Sequence, residues 1–239
     1  MDGSQLTLEL AGTASSRSMQ RLVRGRVLRV LIVCESSGTV REAFRRLGHD
    51  AWSCDLLPAD DGSENHYKCD AREVLTDAWD LVGMHPPCTY LSVSGIHWNN
   101  RGRGWERTHE ALGFVEWLMS HDMPWYLENP MSIISTKIRK PDQIIQPYDF
   151  GEDASKRTCL WLNRLPKLQP TKRVPGRWVT DPRNRKRVER WSNQTDSGQN
   201  KLPPSENRWK ERSKTYAGIA LAMADQWAGE APANKEIGK

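Results

Sequence analysis

Two short segments of this chain carry residues suited to covalent chemistry, Pro86-Pro87-Cys88 and Glu128-Asn129-Pro130. A cysteine attacks as its thiolate and needs a fixed direction of approach. The paired prolines supply that direction, because each fixes its own φ and restricts the residue before it. An ordinary buried turn is built the same way, and it is the second segment that favours chemistry. Glu128 offers the acid that complements a nucleophile, provided burial raises its pKa and keeps its proton available. His85, beside the prolines, is expected as polar surface outside the catalytic set.

Both segments follow strand-like runs, 79–84 and 124–127, and the rest of the chain is spaced in the same way. Val27–Val33 is an apolar, β-branched run of the kind found in a buried central strand, and it ends at Cys34-Glu35-Ser36-Ser37-Gly38. Thr39 then caps a helix with Val40, Ala43, Phe44 and Leu47 on one face and Gly48 as its stop. Ala51–Cys54 is a short strand ending at Asp55, and Cys69-Asp70 precedes a short helix. A longer amphipathic helix over about 106–120 presents Ala111, Leu112, Val115 and Leu118. Thr158–Leu162 is strand-like, and a last helix over about 213–227 should dock back on the core. This alternation predicts an α/β fold with an open, mostly parallel sheet and right-handed crossovers.

In such sheets ligands bind outside the carboxyl ends of the strands, near the switch in strand order. Chemistry-bearing residues recur at those ends: Glu35, Ser36, Ser37 and Gly38, then Asp55, Asp70, Cys88, and Glu128 with Asn129. The small-residue turn would admit a nucleoside close to the backbone. Asp55 is placed for ribose hydroxyls and Asp70 for an exocyclic amine. Neither GxGxxG nor GxxxxGK[ST] is present, so a nucleoside cofactor without a pyrophosphate fits better than a dinucleotide.

The chain has 239 residues, enough for one substantial α/β domain, with a formal charge of +5 and a pI near 9.0. Its five cysteines include no CxxC pair and lie near no histidine cluster, so neither a disulfide framework nor a metal site is expected. Cys34, Cys54, Cys69 and Cys159 read as small buried hydrophobes. The composition fits a reducing cytoplasm, without a signal peptide or a membrane span.

The expected organisation is an N-terminal extension over 1–25, a core over 26–171, a basic segment over 172–212, a docking helix over 213–229 and a tail over 230–239. In the basic segment Arg177, Arg183, Arg185, Lys186, Arg187 and Arg190 are interleaved with Trp178 and Trp191. They suit phosphate tracking with an aromatic ring stacked on a base. The alternative is a solvated linker whose tryptophans anchor it to the core.

The ordered set Glu35-Ser36-Ser37-Gly38, Asp55, Asp70, Pro86-Pro87-Cys88, Glu128-Asn129-Pro130, Lys156-Arg157-Thr158 and the last helix resembles the motif series of the cytosine-5 DNA methyltransferases, especially compact phage-type members. The resemblance spans roughly residues 27–228. It implies a Rossmann-like class I fold, S-adenosylmethionine as cofactor, with Pro86 among the residues that hold it, and cytosine-containing DNA as partner. It further implies Cys88 as the thiolate that adds to C6 of a flipped cytosine, Glu128 as the acid at N3, Asn129 as the residue fixing that loop and Arg157 as the one orienting the base. A monomer in the cytoplasm, that of a host cell if phage-encoded, is expected.

The chain departs from the family pattern in three places: its first motif retains one glycine, Arg157 has no second arginine beside it, and a basic segment of about forty residues stands in place of a full target-recognition domain. Two other readings remain open, modification of RNA cytosine or a free pyrimidine nucleotide, and a catalytically silent nucleic-acid-binding protein on the same scaffold.

Overall fold

A seven-stranded sheet organises the computed structural model, which describes residues 26–75, 78–206 and 208–231. The extension over 1–25 and most of the tail over 230–239 lie outside the described residues. The strands are β1 (Arg29–Val33), β2 (Asp50–Asp55), β3 (His66–Lys68), β4 (Leu81–Met84), β5 (Trp125–Pro130), β6 (Gln143–Ile145) and β7 (Thr158–Asn163), in the order β3-β2-β1-β4-β5-β7-β6. The helices are α1 (Thr39–Arg46), α2 (Ala71–Val74), α3 (Val93–Ile96), α4 (Glu106–Met119), α5 (Ile134–Lys137), α6 (Arg208–Ser213) and α7 (Ala217–Trp227).

β1 is central because it has nothing to show to water: Val30, Leu31, Ile32 and Val33 are fully buried, with apolar groups covering both faces. On one face Val40, Ala43 and Phe44 of α1 pack with Ile219, Met223 and Trp227 of α7. On the other Leu112, Val115 and Leu118 of α4 pack with Val74 of α2 and Trp161 of β7. α6 is a separate short helix, and after residues 214–216 the last helix packs on the core as α7, which begins at Ala217 rather than near 213. Its end is tied down by Trp227 Nε1 donating to the Pro166 carbonyl at 2.9 Å and by His49 Nε2 lying 2.7 Å from the Gly229 carbonyl oxygen.

β1 to β5 are mutually parallel, as the alternation of elements predicts. β7 is not: it runs antiparallel between β5 and β6. Strand direction depends on how the chain returns to the sheet, and the run 158–162 carries no local sign of it. β3 and β6 also escape the hydrophobic pattern, being three-residue strands with polar members. Among the described residues no helix is long and apolar enough to cross a membrane.

Residues 172–212 are more ordered than their composition suggests. β8 (Arg177–Thr180) and β9 (Arg187–Arg190) form an antiparallel hairpin outside the main sheet. Of the two readings of Trp191, a ring open to a base or an anchor to the core, its burial supports the second. It stacks on Tyr148 with centroids 3.8 Å apart and donates through Nε1 to the Val174 carbonyl at 3.0 Å. An indole whose N–H has found a buried acceptor is an anchor.

Candidate functional site

The chain builds β2 and β3 to one side of β1 and then crosses to place β4 on the other, so the switch in strand order falls between β1 and β4. The ladder bonds continue on both sides of the switch, from Glu35 N to the Cys54 carbonyl and from His85 N to the Val33 carbonyl. Between them Cys34 takes a left-handed φ of 59°, a cost of about 1–2 kcal/mol for a residue with a Cβ. A cleft of about 510 Å³ opens beside this point, lined by Cys34, Asp55, Asp70, Pro86, Tyr90 and Phe114 among others. Burial, reinforced by the Asp55 and Asp70 carboxylates, pushes the Cys34 thiol up to about 12.

The expected cofactor residues divide into two groups. Asp55, Asp70 and Pro86 line the cleft. Asp55 also accepts from Leu57 N at 2.9 Å, and Asp70 caps α2, accepting from Arg72 N at 2.9 Å. Glu35, Ser37 and Gly38 serve the start of α1 instead, and the Ser36 carbonyl accepts from Asp60 N at 2.8 Å. The buried Glu35 carboxylate accepts from Val40 N at 2.7 Å and Arg41 N at 3.2 Å. Gly38 has a φ of 69°, and a Cβ there would collide with the Arg41 guanidinium, which is fully buried among Ser53, Glu42 and Asp61. The helix end that would take a phosphate in a dinucleotide fold therefore already holds a carboxylate.

The two segments singled out by their chemistry are stitched together. Asn129 Nδ2 donates to the Pro86 carbonyl at 2.9 Å, and the buried Oδ1 of the same amide has no hydrogen-bond partner. Beyond Cys88 the chain docks on the loop after β5 through Ile133 N to Leu91 O at 2.9 Å and Val93 N to Met131 O at 3.3 Å. The loop itself is closed by Leu91 N and Ser92 N, which both donate to the Cys88 carbonyl, at 3.1 and 2.8 Å. The Pro-Pro-Cys loop is thus held by both of its flanks, and Cys88 is half-buried within it.

Glu128 is 7 % exposed, and its environment corrects the expectation drawn from the sequence. Burial does push its carboxyl upward, but the Lys156 ammonium, His85 and the Thr215 hydroxyl outweigh burial and hold it below the usual carboxylate range. The Cys88 thiol is raised by burial, with Lys156 pulling it down and the Glu128 charge pushing it up. Lys156 therefore acts on both reactive groups. Arg157, which the resemblance implies as the residue orienting the base, is exposed, and its charge is felt at Cys159 on the other face of β7.

Strand parity accounts for this exchange. Side chains alternate across a strand, so Lys156 shares a side with Thr158, and both line a small cavity with Glu128, Thr215 and Tyr216. Lys156 is held by its Nζ donating to the Lys214 carbonyl at 3.3 Å, and the segment before it by Ser155 N donating to Asn193 Oδ1 at 3.0 Å. His85, expected as polar surface, is instead mostly buried between Glu128 and Tyr126, and Thr215 had no signal of its own in the sequence. His85 meets residues 41 and 43 positions away, and Thr215 lies 130 positions from it.

The β8–β9 hairpin presents charge unevenly. Arg183 and Arg190 both pair with the buried Asp181, at 2.8 and 2.7 Å, and Arg177 pairs with Asp196 at 2.7 Å. Arg185 and Lys186 are exposed at the turn, and no ion pair among the described residues engages them. Trp178 is 59 % exposed, with the Arg187 guanidinium 5.2 Å from its ring centroid. Asn193, just beyond β9, is the residue that holds Ser155, so the hairpin is mounted next to Lys156.

No protein-family model and no curated protein sequence matches this chain. Among the described residues no group of three or more histidine, cysteine or acidic side chains is arranged to hold a metal ion.

Proposed function

We propose that this protein is an S-adenosylmethionine-dependent DNA cytosine C5-methyltransferase. The observation that carries the reading is that Asn129 ties the Cys88 loop to the strand bearing Glu128, which shares a cavity with Lys156, at the carboxyl edge of a sheet whose switch-point cleft is lined by Asp55 and Asp70. The motif series described above and the mostly parallel doubly wound sheet support it.

The cleft suits the cofactor on the chemistry of its donors. A volume of about 510 Å³ is ample for a nucleoside-sized ligand, and two carboxylates at the ends of β2 and β3 suit hydroxyl, amine and sulfonium groups. The Glu35 carboxylate at the α1 N-terminus disfavours a pyrophosphate. When bound, the sulfonium supplies an electrophilic methyl group.

The residues divide the remaining work. Cytosine C5 is a poor nucleophile until electron density is added to the ring. Cys88 adds as thiolate to C6, and the displaced pair moves towards C5 and N3. Glu128 takes a proton from solvent as the base enters and donates it in a hydrogen bond to N3, which stabilises the negative charge developing on the ring. That step also removes the carboxylate charge that disfavours the Cys88 thiolate and leaves the Lys156 ammonium beside it, so activation of the nucleophile is coupled to arrival of the base. Once C5 has been methylated its proton passes to solvent, the C5–H electron pair re-forms the C5–C6 double bond, and the C6–S bond breaks with its pair leaving on sulfur as the regenerated thiolate. Arg185, Lys186, Arg187 and Trp178 offer groups for phosphates and bases on the hairpin beside Lys156.

The test is trapping on DNA containing 5-fluorocytosine in the presence of cofactor, where elimination is blocked and a protein–DNA adduct should accumulate. Absence of an adduct with the wild-type protein, or an equal yield from Cys88→Ala, rejects the mechanism. Parallel incubations with labelled cofactor and DNA, RNA or free nucleotide identify the substrate class.

A further inference from the structure

The buried side of Glu128 holds a chain of side chains that the reaction above does not use. The His85 side chain is 10 % exposed and lies between two partners, with Nδ1 3.1 Å from Glu128 Oε2 and Nε2 2.9 Å from the Tyr126 hydroxyl. Its ring meets the Tyr126 ring edge-on, with centroids 5.5 Å apart at 85°. Tyr126 is fully buried, and burial pushes its phenol well above the usual range, so it keeps its proton. With the phenol donating to Nε2, Nδ1–H is left to donate to the carboxylate, which when ionised can only accept. One tautomer satisfies all three groups.

The backbone is built around this arrangement. Gly83 of β4 stands in register with Tyr126 of β5, and a Cβ at Gly83 would lie 2.5 Å from the phenol oxygen. Only glycine at that position lets the phenol pass beneath β4 to reach His85. Tyr126 and Glu128 are two residues apart on one strand, so they face the same way and one imidazole can bridge them.

We propose that His85 is a positioning residue: anchored by Tyr126, it engages one carboxylate oxygen of Glu128 so that the other is presented to the substrate. This rests on the reading of Glu128 as the acid at the pyrimidine ring. The other groups that bear on the carboxylate are Lys156 from the segment before β7 and Thr215 from the segment before α7. Cys88 from the Pro-Pro loop lies in its field, as Arg212 of α6 does in that of Cys88, and Glu35, beyond β1, acts on Tyr126. Of these, His85 and Thr215 hydrogen-bond Glu128.

The decisive measurement needs no substrate. Carboxylate titrations followed by NMR on protein labelled with ¹³C-glutamate, with the Glu128 signal assigned through Glu128→Gln, should show its midpoint rising in His85→Ala. His85→Asn, whose amide can donate from near the Nδ1 position, should return the midpoint towards wild type, and Tyr126→Phe should fall between. An unchanged Glu128 titration in folded His85→Ala, or an Asn variant no different from Ala, overturns the proposal. If His85→Ala does not fold, the Tyr126→Phe titration decides, and an unshifted midpoint there counts against it. In methyl transfer, His85→Ala should lower kcat by on the order of a hundredfold with KM little changed, and move the high-pH limb of the rate profile upward. A uniform loss of rate without movement of that limb would indicate support of the fold alone, and would also overturn it. If the wild-type protein methylates no nucleic acid or nucleotide, the reading of the reaction fails while the titration still decides whether His85 holds Glu128.

Discussion

Asn129 reaches from the end of β5 to the carbonyl of Pro86 with a buried hydrogen bond of 2.9 Å, so the strand that carries Glu128 also fixes the loop that carries Cys88. Neighbouring side chains on one strand point to opposite faces. Glu128 therefore turns to Lys156 and His85 while Asn129 turns to the prolines, and the dipeptide couples acid to nucleophile.

Removing that bond should loosen the loop. Asn129→Ala leaves the buried Pro86 carbonyl without its donor, at a cost of about 1–3 kcal/mol. Asn129→Asp places a carboxylate against the carbonyl oxygen and should cost more. Urea midpoints of the three proteins, together with the rate of Cys88 alkylation, test the order. Equal midpoints would show that the bond carries no weight.

Lys156 lowers the Cys88 thiol against the effect of burial. Lys156→Gln should therefore shift the pH dependence of Cys88 alkylation by iodoacetamide to higher pH, and Arg157→Gln should leave it in place. A shift in the second variant and none in the first would return the role to Arg157.

Acid stability should depend on Glu128. Its carboxyl lies below the unfolded value because Lys156, His85 and Thr215 together outweigh burial. A depressed folded-state pKa stabilises the native protein above the ordinary carboxylate range, and that stabilisation is lost as the pH falls through the folded value. Denaturation midpoints measured across this range should therefore decline more steeply for wild type than for Glu128→Gln. Parallel curves would contradict the assignment.

The hairpin makes an electrostatic prediction. Replacing Arg185, Lys186 and Arg187 with glutamine should weaken DNA binding and flatten its salt dependence, by about 0.9 in the log–log slope for each phosphate no longer neutralised. Replacing Arg183 should act differently, because its partner Asp181 is deprived of a charge-assisted bond and the turn loosens. Identical binding isotherms at every salt concentration would remove the hairpin from the interface.

What could be read from the sequence follows from how local each signal is. β1 is legible because a strand buried on both faces must be apolar throughout, and the positions of Cys88 and Glu128 follow from where such runs end. The reversal of β7 is not, because direction is a property of the return path. Glu35 looked like a ligand residue because its position after β1 is that of a cleft residue, but the residues it serves, Val40 and Arg41, are one helical turn ahead. Lys156 could have been preferred to Arg157 from strand parity, given the pairing of Pro130 with Thr158. That pairing is itself tertiary. His85 could not have been assigned from sequence, since Tyr126 and Glu128 meet it from β5, Thr215 from the segment before α7, and the glycine that makes room for the phenol looks like any other small strand residue.

The capped start of α1 bears on selectivity inside a cell. ATP, NAD and their relatives far outnumber most other nucleosides, and a Rossmann-like crevice is their customary berth. Here Glu35 has taken the backbone donors that a phosphate would seek, and it meets an incoming polyanion with like charge. If the cleft takes the nucleoside cofactor proposed above, discrimination against such phosphorylated competitors would lie in the first turn of a helix.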